Sequence, residues 1–399
     1  MTVKVSKPAF NLREKLSELD IPVGTHGTQL MKSVDASESF SLVKAGRKNM
    51  IINGQMWINQ RNGGSSVTIP DSTGGTYQLD RWAVNETTGG TVSVNMDGDP
   101  PNQPLTGVGQ FQKAMQIACS GTDTSLASTQ NLHFFQNIEG YNTTHLQWGT
   151  VAAKPVTLSF WIKTNKAGTY CVGLENSAYD RCCIREYYQK GNSIWNKVVL
   201  TFPGCPDGTW LKTNGIGIRV RFCLASGTNF DDGVDGIWVS GDELTTGNQA
   251  NFMTSTSNRF FITGVQLEEG TAATPFEHLT YQEDHLNCAR YYQEQQGGSD
   301  VFMYAAKAQG SASGDIGVGL VVPMRASPAV TCSNHRLFHS DGVGYSNSST
   351  APTVVQWDGA HSVHSATIGL NAAGHSGVTN NECCTWAPTS SGLLFDAEL

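Results

Sequence analysis

Apolar and polar residues alternate with a period of two in segment after segment of this chain, and that period fixes what the backbone can do. Leu158, Phe160 and Ile162 alternate with Ser159, Trp161 and Lys163, and Val198, Leu200 and Phe202 repeat the pattern. Ile216, Ile218, Val220 and Phe222 alternate with Gly217, Arg219, Arg221 and Cys223, so this strand sets two guanidiniums on its outer face. Successive side chains of a strand point to opposite faces, so the alternation means one buried face and one outer face. Clusters of Gly, Asn, Asp and Pro interrupt the runs between residues 47 and 278 and leave no helical stretch between them. Many short strands without intervening helices argue against a parallel α/β sheet. They predict a mainly β chain with an antiparallel jelly-roll β-sandwich over residues 47–277. Composition agrees, with 43 glycines in 399 residues and only 15% charged residues against a usual ~25%.

The two ends depart from this period. Residues 11–20 read as a short helix with Leu12, Leu16 and Leu19 on one face, stopped by Pro22 and Gly24. A second helical pattern begins near Asp35 and Ser37, carries Phe40 and Val43 inward and ends at Gly46. Helices this short cannot stabilise each other alone. Residues 1–46 are therefore expected to be a helical docking segment, using Phe10, Leu12, Leu16, Leu19 and Phe40 against other chains. Its charge also differs, since residues 1–50 carry eight basic and five acidic side chains while the whole chain stands at -8. Beyond the sandwich, 278–295 is expected to be a connecting segment with one helix at 280–294. Residues 296–399 return to strands, expected at 317–322, 329–332, 353–357 and 365–370, as a second, smaller β domain.

Several function classes fall away on composition. A net charge of -8 argues against nucleic-acid binding, which needs clustered Lys and Arg. No apolar run of about 18 residues exists and the first residues lack a signal-peptide core, so the chain is expected to be made in a cytosol without membrane insertion. The ten cysteines include the vicinal pairs Cys182-Cys183 and Cys383-Cys384, and no Cys-x-x-Cys occurs. Reduced thiols are the expectation.

Particular motifs go further. Asn49-Met-Ile-Ile-Asn-Gly-Gln-Met-Trp-Ile-Asn-Gln-Arg61, Leu79-Asp-Arg-Trp82, Trp148-Gly149, Lys154-Pro-Val-Thr-Leu-Ser-Phe-Trp161, Asn214-Gly-Ile-Gly-Ile-Arg-Val-Arg-Phe222 and Phe261-Ile-Thr-Gly-Val-Gln-Leu-Glu268 through Thr274-Pro-Phe276 stand in that order. Together they resemble a family of bacteriophage virion proteins, tail-fibre-like or adhesin-like chains with a carbohydrate-binding-module-like β-sandwich. The likeness covers about 47–295 and continues more loosely to Arg290-Tyr-Tyr292 and Phe395-Asp-Ala-Glu398. The opening residues are similar to N-termini of virion proteins of marine cyanobacterial phages. The resemblance implies a virion structural protein, tail fibre or adhesin, docked to other virion proteins of tail or head through residues 1–46. It also implies homotrimeric packing, contact with host surface polysaccharide and localisation in the virion. A ligand-free head decoration or fibre-connecting subunit is the alternative.

Sugar recognition uses aromatic faces with amide and carboxylate hydrogen bonds. Trp161, out of phase with the apolar residues of its strand, and Trp210, after the turn at Pro206-Asp-Gly208, are the candidate stackers in the sandwich. Trp357, Asp358, His361 and Trp386 are the candidates in the outward-displayed C-terminal domain. Asp231, Asp232 and Asp235 offer oxygen ligands for calcium, although their spacing departs from the EF-hand loop, and solvated turns are the competing reading. Cys332, His335 and His339, and likewise His361 and His364, have spacings that imidazole metal sites use, but for these and His375 surface histidines in polar loops are the preferred reading. No nucleophile elbow, phosphate loop, dinucleotide fingerprint or His-Glu-x-x-His occurs, so no enzyme and no cofactor are expected. A glycan depolymerase, needing only two carboxylates about 5 to 9 Å apart, stays as the further alternative.

Overall fold

The computed structural model describes residues 28–32, 40–44, 47–69, 72–97, 111–295, 304–309, 313–332, 334–338, 345–354, 367–375, 383–388 and 392–399. Contacts divide the chain into two compact units, Met1–Lys48 with Leu105–Gly107 and Asn49–Pro104 with Val108–Leu399. In the first, β1 (Thr28–Lys32) and β2 (Phe40–Lys44) form an antiparallel pair, Lys32 opposite Phe40. Phe40 and Val43 thus lie on a strand, which corrects the helix expected up to Gly46. Their spacing of three suits a helix, but Phe40 and Leu42 also alternate with Ser41, and pairing with β1 selects the extended form. The helix expected at 11–20, with Phe10, Leu12, Leu16 and Leu19, lies outside the described residues.

The larger unit begins with thirteen strands in two sheets. In chain order they are β3 (Val67–Ile69), β4 (Ser72–Leu79), β5 (Trp82–Glu86), β6 (Thr91–Asp97), β7 (Ala114–Gly121), β8 (Asn131–Glu139) and β9 (Val156–Thr164). Then follow β10 (Gly168–Glu175), β11 (Cys182–Gln189), β12 (Asn196–Phe202), β13 (Ile216–Ser226), β14 (Trp238–Val239) and β15 (Arg259–Glu269). One sheet has the order β14-β11-β10-β13-β8-β5-β4 and the other β12-β9-β15-β7-β6-β3, with antiparallel pairings between neighbours. A single core joins them. Val84, Phe134, Val220 and Phe222 of the first sheet meet Ile117, Leu158, Phe160 and Phe260 of the second. Phe134 stacks on Phe222 at 4.8 Å, and Phe160 stands edge-on to Phe222 at 5.1 Å. Offset and edge-on aromatic pairs of this kind add about 0.5–1.5 kcal/mol each beyond the area they bury.

The motif at residues 49–61 is no strand but a buried scaffold. Asn49 donates its amide to the Val265 carbonyl, and its side-chain oxygen accepts from the Ile51 and Leu267 N–H groups. Asn53, at φ 55°, bonds the Ile58 and Asp80 carbonyls and caps the Trp57 and Ile58 amides. Gly54 follows because a Cβ there would lie 2.3 Å from the Val265 oxygen. The bonding of the Asn-Gly pair explains why the motif is so particular.

Helix α1 (Tyr281–Ala289) opens on a capping box between Thr280 and Glu283. It ends at Ala289, and Tyr292 belongs to β16 (Tyr292–Gln295), which shortens the helix expected at 280–294. The tail continues through β17 (Tyr304–Gln309), β18 (Ser313–Gly319), β19 (Ala329–Thr331), β20 (His335–Phe338), β21 (Tyr345–Ser348), β22 (Thr353–Val354), β23 (Thr367–Ala373), β24 (Cys383–Pro388) and β25 (Leu393–Asp396). Strands β16, β25 and β19 form one sheet and β21-β20-β24-β17-β18-β23-β22 another, over a core of Ile316, Leu337, Leu370, Trp386 and Phe395. No helix among the described residues is long and apolar enough to cross a membrane.

Candidate functional site

The outer face of the sandwich's seven-stranded sheet carries a cleft of about 260 Å³. Its floor comes from three adjacent strands whose inward residues build the core, so alternation forces the intervening residues outward. Asn85 of β5, Asn131, His133 and Phe135 of β8, and Arg219 and Arg221 of β13 line it. Register brings them together: Asn85 stands opposite His133, and Phe135 opposite Arg221. The walls include Tyr179 from the β10–β11 turn, held at φ 58°, and Phe230, Asp242 and Leu244 from the long connection after β13. Gly75 belongs to the approach of β4, since a Cβ there would lie 2.6 Å from the Phe135 ring.

The polar groups are ordered before any ligand arrives. The Gly74 N–H donates to the Asn85 side-chain oxygen at 3.0 Å, and the Asn85 amide donates to Asn131 Oδ1 at 2.8 Å. His133 Nδ1 donates to the same oxygen at 2.9 Å, which leaves Nε2 as the acceptor of a neutral ring. Burial, reinforced by Arg221 and Arg219, holds the His133 pKa well below its ordinary value, so this neutral form persists at physiological pH.

The two arginines differ. Arg221 donates to Glu175 at 2.7 Å, pairs with Asp242 at 2.7 Å and donates to the Glu243 carbonyl at 3.2 Å. Burial, opposed by Arg221 and helped by Asp242, pushes the Glu175 carboxyl up to about 8. Arg219 donates to the Tyr179 hydroxyl at 3.0 Å, with its guanidinium 4.1 Å from that ring's centroid. Its Nε is buried without a hydrogen-bond partner among the described residues. The cleft therefore offers a neutral imidazole acceptor, amides, three aromatic rings and a guanidinium whose buried Nε has no hydrogen-bond partner among the described residues.

The residues singled out from sequence fall elsewhere. Trp161 is only 6% exposed, and its cross-strand neighbour Thr263 is fully buried with its hydroxyl bonded to the Gln55 carbonyl. Trp210 is 8% exposed and packs edge-on against Trp148 at 4.6 Å and Trp238 at 5.5 Å. Neither offers an open stacking face, because the surface each strand or turn presents is itself covered. Trp386 is wholly buried in the tail core, its indole donating to His335 Nδ1 at 2.9 Å. Trp357, Asp358 and His361 lie outside the described residues. Asp235 is engaged by Arg185 at 3.0 Å and by the Glu186 N–H, and no three His, Cys, Asp or Glu side chains among the described residues gather as metal ligands around Asp231, Asp232 or elsewhere. His335 and His375 are a buried pair, Nδ1 to Nε2 at 3.1 Å, rather than surface groups.

The paired arginines of β13 were visible in the alternation. Asn131, His133 and Phe135 were missed, although they alternate with Leu132 and Phe134 in the same manner. Tyr179, Glu175 and Asp242 come from turns and a neighbouring strand that only the fold brings near.

Fold and site together define an antiparallel β-sandwich with a preformed polar and aromatic cleft on one sheet. No protein-family model matches the chain, and no curated protein matches it. Solved structures similar to it include the enzymatically active domain of bacteriophage CBA120 tailspike protein 4, at 13% identity and a TM-score of 0.27, over 51% of this chain and 21% of that one. A family 61 carbohydrate-binding module in complex with β-1,4-galactotriose aligns at 11% identity and 0.28, over 56% of this chain and 100% of the module. A family 11 module from Clostridium thermocellum, in complex with a mixed-linked tetrasaccharide, aligns at 14% and 0.27, over 53% and 98%.

Proposed function

We propose that this chain is a non-enzymatic glycan-binding component of a phage virion, with the cleft over β5, β8 and β13 as its sugar site. The observation that carries the binding part is the cleft itself: prearranged amides, a neutral imidazole acceptor and guanidinium donors beside the rings of Phe135 and Tyr179. Sugars present hydroxyls around a ring with apolar C–H faces, and this mixture answers both. At about 260 Å³ the space is near the lower edge of small-ligand pockets, roughly 300–1,000 Å³. The virion part rests on the ordered motifs at 49–61, 79–82 and 214–222, which resemble tail-fibre-like and adhesin-like proteins. We read the sandwich as a jelly roll, residues 1–46 as the segment that docks on other virion proteins and the assembly as a trimer. This reading moves host contact from the tail to the sandwich.

Full-length protein applied to an array of defined oligosaccharides tests the binding part. Binding to a subset is expected, reduced about tenfold or more in Phe135→Ala and Asn131→Ala, with circular dichroism used to verify that each variant, although less stable, is folded at the assay temperature. Binding that survives both substitutions contradicts the site, and no binding at all favours the decoration or connector alternative. Release of new reducing ends from a bound polysaccharide would overturn the non-enzymatic part.

A further inference from the structure

We propose that the cleft selects an acidic glycan, receiving the carboxylate of a uronate or similar sugar on the Arg219 guanidinium. This rests on the reading of the cleft as a sugar site and adds the ligand's charge. Arg219 is only 9% exposed and lines the cleft, yet its Nε has no hydrogen-bond partner among the described residues. A buried guanidinium donor left empty is costly, and such groups normally have a partner in their working state. None of the described residues supplies one. Glu175 stands directly opposite Arg219 in the β10–β13 register, but its carboxyl turns to Arg221 instead. Asp242 also pairs with Arg221, so both carboxyls make their close contacts with Arg221 and reach Arg219 only through longer-range attraction.

The charged groups facing this position are few. Arg219 and Arg221 come from β13 and Asp242 from the connection after β13, Glu175 of β10 lies beside both arginines, the Cys182 thiol of β11 opposite Glu175 is pushed up to about 12 by burial, and His133 of β8 is neutral. Burial pushes the Glu175 carboxyl up to about 8, so at neutral pH it keeps its proton and the group carries a surplus of one positive charge. A monoanion balances it. Tyr179 fixes the guanidinium by hydroxyl bond and ring contact, which reduces the freedom lost on binding. A carboxylate fits the planar fork with two parallel bonds, which a hydroxyl cannot supply.

The test compares acidic oligosaccharides containing uronate or sialate with the same oligosaccharides after carboxyl reduction, titrated into the full chain at pH 7. At least one acid should bind about 10- to 100-fold more tightly than its reduced form. Arg219→Met and Arg219→Lys should each remove most of that difference, the lysine retaining charge but losing the fork. Affinity for the acid should also fall between pH 7 and 9 as Glu175 ionises and cancels the surplus. Equal binding of acid and reduced forms, lost in Phe135→Ala, would overturn the acidic specificity and keep the sugar site. Binding of neither form would overturn both.

Discussion

Arg219 and Arg221 sit two residues apart on one strand, and their surroundings give them different work. Arg221 is held by Glu175, Asp242 and a carbonyl, and so builds the floor, whereas the Arg219 Nε has no hydrogen-bond partner among the described residues. The same logic of matched and unmatched donors governs the histidines of the tail. His335 Nδ1 accepts from the Trp386 indole and lies 3.1 Å from His375 Nε2, and its Nε2 meets the Thr350 carbonyl at 2.7 Å. His375 Nδ1 in turn meets the Ser346 hydroxyl at 3.0 Å. That arrangement needs a neutral His335, because a proton on Nδ1 would displace the indole donor. Burial, opposed by the Thr350 carbonyl, lowers the His335 pKa from its ordinary 6.5. The neutral group therefore contributes stability in full above about pH 6.5, and that contribution is lost as the pH falls. Hydrogen exchange of β24 and β20, corrected for intrinsic rate, should show weaker protection at pH 5 than at pH 7. Equal protection at both would contradict this account.

At the scale of elements, the motifs that made the sequence recognisable build a junction rather than a binding surface. Asp284 of α1 accepts from the Asn53 N–H at 3.0 Å and from the Trp57 indole at 2.7 Å. Arg81, at φ 72° and wholly buried, pairs with Glu398 and lies 3.5 Å from the Tyr291 ring centroid. Arg61 bonds Asp396 at 2.8 Å, and its guanidinium stacks 3.8 Å from the Tyr292 ring centroid. Glu398→Ala removes the carboxylate from a guanidinium that is 1% exposed, which should cost about 3–5 kcal/mol. Urea unfolding measures it, and a loss under about 1 kcal/mol would show that Arg81 does not depend on Glu398. The strands of the sandwich were legible because one side of each had to be apolar. Alternation says which side a residue takes, not whether that side is covered, and so Trp161 read as exposed. The strand at Phe40–Lys44 was misread because five residues satisfy both periods and only its partner decides. The Asn-Gly scaffold at 53–54 gave no periodic signal at all, since the Gly54 carbonyl accepts from Val265 of β15 and the Asn53 N–H donates to Asp284 of α1, both far away in sequence.

Across the larger unit, two apolar cores are joined by polar bonds. Arg290 grips Glu139 through two bonds of 2.9 and 2.6 Å, the Tyr291 hydroxyl donates to the same carboxylate, and Arg325 and Asn214 exchange bonds. A third, small cluster of Ile52, Ile58, Cys288 and Tyr291 lies at the same place. Tail and sandwich are thus tied by specific contacts, while the cleft is built from the sandwich alone, on the outer face of a sheet whose inner face is closely packed aromatic core. A rigid floor of this kind suits recognition in which donors must stand ready. The most direct test is a crystal structure of the full chain with an array-selected acidic oligosaccharide. The account predicts a sugar ring against Phe135 or Tyr179, hydroxyls on Asn131 and His133, and a carboxylate on Arg219. A sugar bound on the tail sheets, with the cleft empty, would contradict it.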